Sequence, residues 1–221
     1  MRVLVVDDEI KIAENIKKFL ESKNYIVDVS FNGEDALGNI EIENYDAIII
    51  DWMLPDIDGI KLCQKIKKMG KTTPLLMLTA KSQIEDKIKS FECGVDDYLT
   101  KPFFMDELFA RVKAIIRRNL ANDSSPVLKI KRLEINTNTC EVKKSGKLID
   151  LSPKEYALLE YLALNKGIVM NRQDIMEHVW GDSVDPFSNT VDVHIRYIRE
   201  KLNDADLIKT VKGRGYMLCE D

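Results

Sequence analysis

Residues 47–59 read Ala47-Ile48-Ile49-Ile50-Asp51-Trp52-Met53-Leu54-Pro55-Asp56-Ile57-Asp58-Gly59. Four consecutive apolar residues, three of them β-branched, suit a short strand buried on both faces. Asp51 ends the run, and the proline, two further aspartates and glycine that follow are the punctuation of a loop. A strand apolar on both faces needs helices over each, which the flanking sequence must supply.

Similar aliphatic runs occur at 3–6, 26–29, 75–78 and 98–99. Between them lie stretches of helical period: Ile12, Ile16, Phe19 and Leu20 share one face, as do Leu108, Val112, Ile115 and Ile116. Strand and helix alternating five times predict an α/β fold over residues 1–120, with a five-stranded, doubly wound parallel sheet of flavodoxin-like type. Sites in such sheets form at the carboxyl ends of the strands. The sequence puts Asp7, Asp8, Asp51, Thr79 and Lys101 there. Taken singly, each has a plain alternative, since an aspartate after a strand is usually a turn former or helix cap. Taken together, carboxylates without histidine or cysteine make a hard oxygen site that prefers Mg²⁺. A carboxylate can also act as nucleophile in phosphoryl transfer, with Lys101 neutralising the phosphoryl oxygens and Thr79 donating to one.

The bulk properties narrow the field. The chain has 221 residues, 45% hydrophobic and 32% charged, which is globular rather than disordered composition. No apolar run approaches the roughly 20 residues that span a bilayer. The first eight residues turn acidic after one short apolar stretch, so no secretory leader is expected and the cytosol is the natural location. Cys63, Cys93, Cys140 and Cys219 form no C-x-x-C pair and are expected as free buried thiols. Two histidines make a histidine-based metal site or triad improbable. A net charge of −4 gives no global sign of nucleic-acid binding, so any such case must be local.

The pattern changes after a polar, proline-terminated linker at 121–126. Residues 127–221 suggest strands at 127–135, 140–143 and 148–151, with a Ser145-Gly146 turn. Helices are expected at 153–165, 172–180 and 188–203, the first opened by Ser152-Pro153-Lys154-Glu155. A hairpin turning at Gly213-Arg214-Gly215 closes what is expected to be a winged helix-turn-helix domain. In the third helix Val191, Ile195, Ile198 and Leu202 face inward. Asn189, Val193, Arg196 and Glu200 face outward, flanked by Tyr197 and Arg199. Arg, Asn and a small apolar group are the side chains that read guanine, adenine and the thymine methyl in a major groove. The hairpin carries Lys209, Lys212 and Arg214, suiting phosphate or the minor groove. On composition alone, a solvated amphipathic helix and a glycine turn remain the simpler account.

Several segments carry a resemblance that goes further. Val5-Val6-Asp7-Asp8-Glu9, Asp51 to Gly59 as quoted, Leu78-Thr79-Ala80 and Lys101-Pro102-Phe103 resemble the signature segments of receiver domains, in the family's order and spacing. Thr190-Val191-Asp192-Val193-His194-Ile195-Arg196 and Val211-Lys212-Gly213-Arg214-Gly215-Tyr216 resemble the recognition helix and wing of OmpR/PhoB winged helices. The resemblance implies a two-component response regulator whose Asp51 takes a phosphoryl group from a sensor histidine kinase. Mg²⁺ would be held by Asp8, Asp51 and the Met53 carbonyl, with Asp7 acting through water. Thr79 and Tyr98 would be the switch pair, and the Lys101-Pro102 bond cis. It further implies a regulator of transcription that binds double-stranded DNA and catalyses only its own phosphorylation and dephosphorylation.

By the same resemblance Asn189, Thr190 and Lys212 touch the DNA backbone and Val193, Arg196 and Tyr197 face bases, with Arg199, Arg214 and Tyr216 beside them. The loop 181–188 resembles the family's RNA polymerase-contacting loop. Lys87, Asp96, Asp97, Glu107, Arg111 and Arg118 resemble the charged positions of the symmetric dimer, around Ile88, Phe91 and Ala110. The expected pairs across the two-fold are Lys87 with Glu107, Asp97 with Arg111 and Asp96 with Arg118. Asn189 and Tyr197 depart from the arginines common in relatives, so affinity is expected to lean on dimer avidity. A phosphatase using Asp51 is the enzymatic alternative, but such hydrolases place an acid two residues on, where this chain has Met53. The other alternative is a DNA-binding protein whose receiver is only a scaffold.

Overall fold

The computed structural model describes residues 1–80, 93–121, 125–181, 184–185 and 188–219. The chain divides into two compact units, Arg2–Asn119 and Leu120–Asp221.

In the first unit, strands β1 (Arg2–Val6), β2 (Ile26–Ser30), β3 (Ala47–Asp51), β4 (Leu75–Thr79) and β5 (Asp97–Thr100) form one sheet in the order β2-β1-β3-β4-β5. Every pairing is parallel, the flavodoxin-like order. The helices are α1 (Ile10–Ser22), α2 (Gly33–Ile42), α3 (Gly59–Lys68) and α4 (Met105–Ala121), the last running about a turn past the expected 118. Every residue of β1, β3 and β4 is buried. Leu4, Val6, Ile48, Ile50, Leu75 and Met77 pack with Ala36 and Ile40 of α2 and Leu62 and Ile66 of α3. The alternate residues Val3, Val5, Ile49, Leu76 and Leu78 are as deeply buried and point to the other face by the two-residue period of a strand. That face is covered by α1 and α4, which meet through the rings of Phe19 and Phe109. The helix expected at about 84–93, with Lys87, Ile88 and Phe91, lies outside the described residues.

The amino edge of this sheet is closed by satisfied charges. Arg2 Nε donates to Asp28 at 2.8 Å and its Nη1 to Glu43 at 2.6 Å, while its backbone N–H donates to Asp46 at 2.7 Å. A buried arginine is tolerated because its charge is paired with two carboxylates, Asp28 and Glu43.

The second unit opens with an antiparallel sheet, β6 (Val127–Ile130), β7 (Leu133–Asn136), β8 (Glu141–Lys144) and β9 (Lys147–Ile149), paired in chain order. The single strand expected at 127–135 is therefore a hairpin. Lys131 takes a φ of +53° and turns the chain back, although lysine is not a residue that announces such a turn. The Ser145-Gly146 turn is as expected, with φ of +51° and +78°, the mirror-image geometry that matches strand twist. Helices α5 (Pro153–Leu164), α6 (Arg172–Val179) and α7 (Thr190–Leu202) follow, and β10 (Ile208–Val211) and β11 (Gly215–Leu218) close the domain as an antiparallel hairpin. Ser152 and Glu155 form the expected capping box at the start of α5.

Cys63 and Cys219 are buried as expected, but Cys140 is exposed and Cys93 half-buried. Cys140 sits at the entry to β8 with a φ of +56°, a surface turn with no core to enter. Burial pushes the Cys63 thiol up to about 12.

Gly215 holds a φ of +146°, and a Cβ there would collide with the Met170 carbonyl oxygen. That approach is used: Met170 and Tyr216 exchange backbone hydrogen bonds of 2.8 and 2.9 Å, a single bridge that ties the wing to the segment before α6. Gly215→Ala is expected to destabilise the C-terminal unit by at least about 2 kcal/mol, read as a lower denaturant midpoint for that unit.

Candidate functional site

The turns at the carboxyl ends of the parallel strands carry the polar residues. Asp7 and Asp51 are buried and Asp8 is exposed, yet all three offer a carboxylate oxygen within 4.8 Å of one another. Lys101 reaches between them. Its Nζ donates to Asp7 Oδ2 at 2.8 Å and to Asp51 Oδ2 at 3.0 Å, and Glu9 Oε1 lies 4.0 Å away. The Lys101-Pro102 bond is cis, and the Lys101 N–H donates to the Thr79 carbonyl at 2.8 Å. Thr79 is buried beside them in β4.

Burial raises the pKa of Asp51 above the ordinary carboxylate value, against the opposing pull of Lys101. Burial alone would lower that of Lys101, but its bonds to Asp7 and Asp51 outweigh it and raise the value. The ammonium therefore stays charged. The donor set is entirely oxygen and carries more negative charge than Lys101 compensates, which fits a hard divalent cation.

The loop after Asp51 is held firmly. Gly59 N–H donates to the Trp52 carbonyl at 2.8 Å, and a Cβ on Gly59 would strike the backbone of Asp51 and Trp52. Met53, exposed, pairs with Asp58 across this loop. Asp56, which the sequence reading passed over, accepts from the Gly33 and Glu34 N–H groups at 2.9 Å each and so caps α2. Burial is the largest single influence and raises its pKa, but the backbone bonds together outweigh it and hold the value low. Tyr98 is half-buried on β5 beside Met77 in the register.

Of the dimer positions, Glu107, Ala110 and Arg118 are exposed on α4. Arg111, however, is bonded within the chain: to Asp97 at 3.0 and 3.1 Å and to Glu107 at 2.9 Å. Asp96 accepts from the Leu75 N–H at 2.8 Å and lies 3.5 Å from Lys67. Within the single chain Asp97 and Asp96 thus have local partners. Glu107 and Arg111 stand four positions apart on the helix, the spacing at which side chains on one face meet.

In the second unit, the expected reading stripe is exposed: Asn189, Arg196 and Tyr197 face solvent, with Val193 half-buried and Thr190 hydrogen-bonded to Ser188 at 2.8 Å. Asn189 precedes α7 without capping it. Arg196 lies 5.1 Å over the Tyr197 ring, next to His194 and then Trp180 in an aromatic row. His194 bonds the Thr190 carbonyl and His178 stacks on Tyr161. Lys212 and Arg214 are exposed at the wing tip. Of the loop 181–188, residues 182, 183, 186 and 187 lie outside the described residues.

Two expected DNA contacts are corrected. Tyr216 is only 3% exposed and its hydroxyl donates to Asp192. Arg199 is committed to the wing strand, donating to the Ile208 carbonyl at 3.1 Å and Thr210 Oγ1 at 2.8 Å. Their polar atoms face neighbouring elements because α7 packs on the wing, which a helical wheel does not display. Residues missed by the sequence reading also set α7: Lys201 donates to Glu155 at 2.7 Å, and Lys144 donates to the Leu202 carbonyl at 2.8 Å and to Asp204 at 2.9 Å.

Residues 3–113 match the response regulator receiver domain and residues 146–218 the C-terminal domain of transcriptional regulatory proteins. The response regulator ArlR of Staphylococcus aureus is 40% identical over 220 residues, covering 98% of this chain and 99% of its own. The chain belongs to the OmpR/PhoB-type response regulators. Among solved structures, the receiver domain of Francisella response regulator 1452 is 45% identical with a TM-score of 0.52, over 53% of this chain and 97% of its own. DrrB of Thermotoga maritima, described as an OmpR/PhoB homologue, is 35% identical over 99% of this chain and 98% of its own, with a TM-score of 0.49. As a two-component response regulator with receiver and DNA-binding domains, the protein acts in transcription regulation, and its partners include a kinase and DNA. No helix among the described residues is long and apolar enough to cross a membrane.

Glu155 gives this regulator an acid-sensitive link. Burial favours its neutral form, but Lys201 and Ser152 outweigh that and hold its pKa below the ordinary value. A depressed folded pKa contributes stability that is complete above the unfolded value of about 4.3. The contribution is lost as pH falls through the lower folded value. Denaturant midpoints of the C-terminal unit, followed from pH 7 to 3, are expected to fall more steeply in this window for wild type than for Glu155→Gln.

Proposed function

We propose that Asp51 accepts a phosphoryl group from a sensor histidine kinase, and that this modification promotes receiver dimerisation and sequence-specific DNA binding in the cytoplasm. The observation that carries the reading is Lys101 bonded at once to Asp7 and Asp51, with Thr79 beside them, at the carboxyl edge of the sheet. Asp8, Asp51 and the Met53 carbonyl would hold Mg²⁺, with Asp7 acting through water, and the ion would neutralise charge on the transferred group.

In this scheme an Asp51 oxygen attacks phosphorus. The phosphorus–nitrogen bond of the donor histidine breaks, and an acyl phosphate and a free imidazole result. Lys101 is already charged and placed to take a phosphoryl oxygen, so little reorganisation accompanies the step. Thr79 donates its hydroxyl to another phosphoryl oxygen, and Tyr98 turns inward behind it. The phosphoryl adds about −1.5 to −2 charges in a partly buried site. Self-dephosphorylation is the only turnover, since Met53 stands where hydrolases of this kind place an acid. Asn189, Thr190, Val193, Arg196, Tyr197, Lys212 and Arg214 form the DNA surface, and polymerase contact belongs to the loop at 181–188.

Incubation with Mg²⁺ and a small acyl phosphate is expected to add one phosphoryl group to wild type and none to Asp51→Asn, by intact mass. Addition to both would remove Asp51 from the role; addition to neither, even with a panel of histidine kinases, would leave the receiver silent. Dimerisation has its own test. Arg111→Glu breaks the link to Asp97 and Glu107 and is expected to abolish phosphorylation-induced dimers in sedimentation; unchanged dimers would sink that interface.

A further inference from the structure

We infer that Asp192 is a positioning residue for DNA reading, locking the wing and α6 onto the recognition helix so that all three present one fixed surface. The inference rests on the assignment of α7 and the β10–β11 hairpin to DNA.

Asp192 lies in the first turn of α7. Its carboxylate accepts from Arg172, the first residue of α6, with Nη2 at 2.7 Å and Nε at 3.1 Å. The same carboxylate accepts the hydroxyl of Tyr216, from β11. Arg172 Nη2 also reaches the Tyr216 hydroxyl at 3.3 Å, and its guanidinium lies 5.1 Å from the centre of that ring. Two side chains from two other elements thus converge on the Asp192 carboxylate. The convergence is reinforced along the backbone, where Met170, just before α6, pairs with Tyr216. About two turns further along the helix Arg199 grips β10 through Ile208 and Thr210. The hairpin is consequently held to α7 from both of its strands.

The charge of Asp192 makes the case sharper. A carboxylate on a helix that approaches DNA repels phosphates, and at physiological salt this is felt over about 8 Å. Removing it while freeing the Arg172 guanidinium should, by charge alone, strengthen binding to any duplex. Positioning predicts the opposite sign for a duplex read by sequence. Without the carboxylate the wing and α7 move independently, and the base-facing and phosphate-facing groups no longer engage together. Non-specific binding, which depends on phosphate attraction, is spared.

The test uses the full chain and two probes: a duplex recovered from a random-sequence pool by repeated selection with wild type, and a scrambled duplex of the same composition. Asp192→Asn is expected to weaken binding to the selected duplex about tenfold, the scale of one hydrogen bond to a charged group, without weakening binding to the scrambled one. Tyr216→Phe keeps the ring and removes only the hydroxyl. It should lower the same ratio, and the double variant should fall no further than Asp192→Asn alone because the two share one bond. Equal or tighter binding of the selected duplex by Asp192→Asn overturns the inference. So does a proportional loss on both duplexes with a lowered Tm, which would make Asp192 a stabilising residue only. If wild type retains no duplex from the pool, the DNA-reading assignment fails first and the inference falls with it.

Discussion

Three carboxylates within 4.8 Å of one another are tolerable in a folded domain because an ammonium lies against two of them. Lys101 is delivered from the end of β5, Asp7 from β1 and Asp51 from β3, so the ion pairs exist only when the parallel sheet is assembled in its observed order. The bonds also keep the lysine charged and oriented before any reaction partner arrives. What remains is an excess of negative charge at the sheet edge, which fits a hard cation. The loop 52–58, fixed by Gly59 and by the Asp56 cap on α2, keeps the Asp51 end of this arrangement from drifting.

The second domain solves a different positioning problem. A recognition helix needs to be presented, and α7 is held along its length: by Asp192 near its start, by Arg199 on the wing side and by Lys201 and Lys144 near its end. Each of these residues is charged and partly exposed, and each spends its charge on a neighbouring element. The groups left facing solvent, Asn189, Arg196 and Tyr197, are those without such duties.

Local patterns made most of this legible. The five parallel strands follow from short aliphatic runs, and the acid cluster from aspartates that terminate them. The capping box of α5 and the Ser145-Gly146 turn carry their chemistry in adjacent residues. What escaped depends on long-range packing or on unmarked backbone. Lys131 takes a left-handed turn that its side chain does not advertise, so one long strand was expected where a hairpin stands. Tyr216 and Arg199 have the composition of DNA contacts, and only the packing of α7 on the wing turns them inward. The bond between Arg111 and Asp97 within one chain joins residues fourteen positions apart and exists only because the helix and the strand that carry them are packed together.

The two ends of the receiver sheet are built on opposite terms. At the amino edge Arg2 satisfies Asp28 and Glu43, and substitutions there subtract stability while leaving the chemistry untouched. At the carboxyl edge like charges are crowded, so replacing Asp8 with a neutral residue relieves repulsion. A lineage selected only for thermal robustness would therefore tend to shed its acid cluster, whereas one selected for signalling retains a locally costly arrangement and recovers the difference elsewhere in the core.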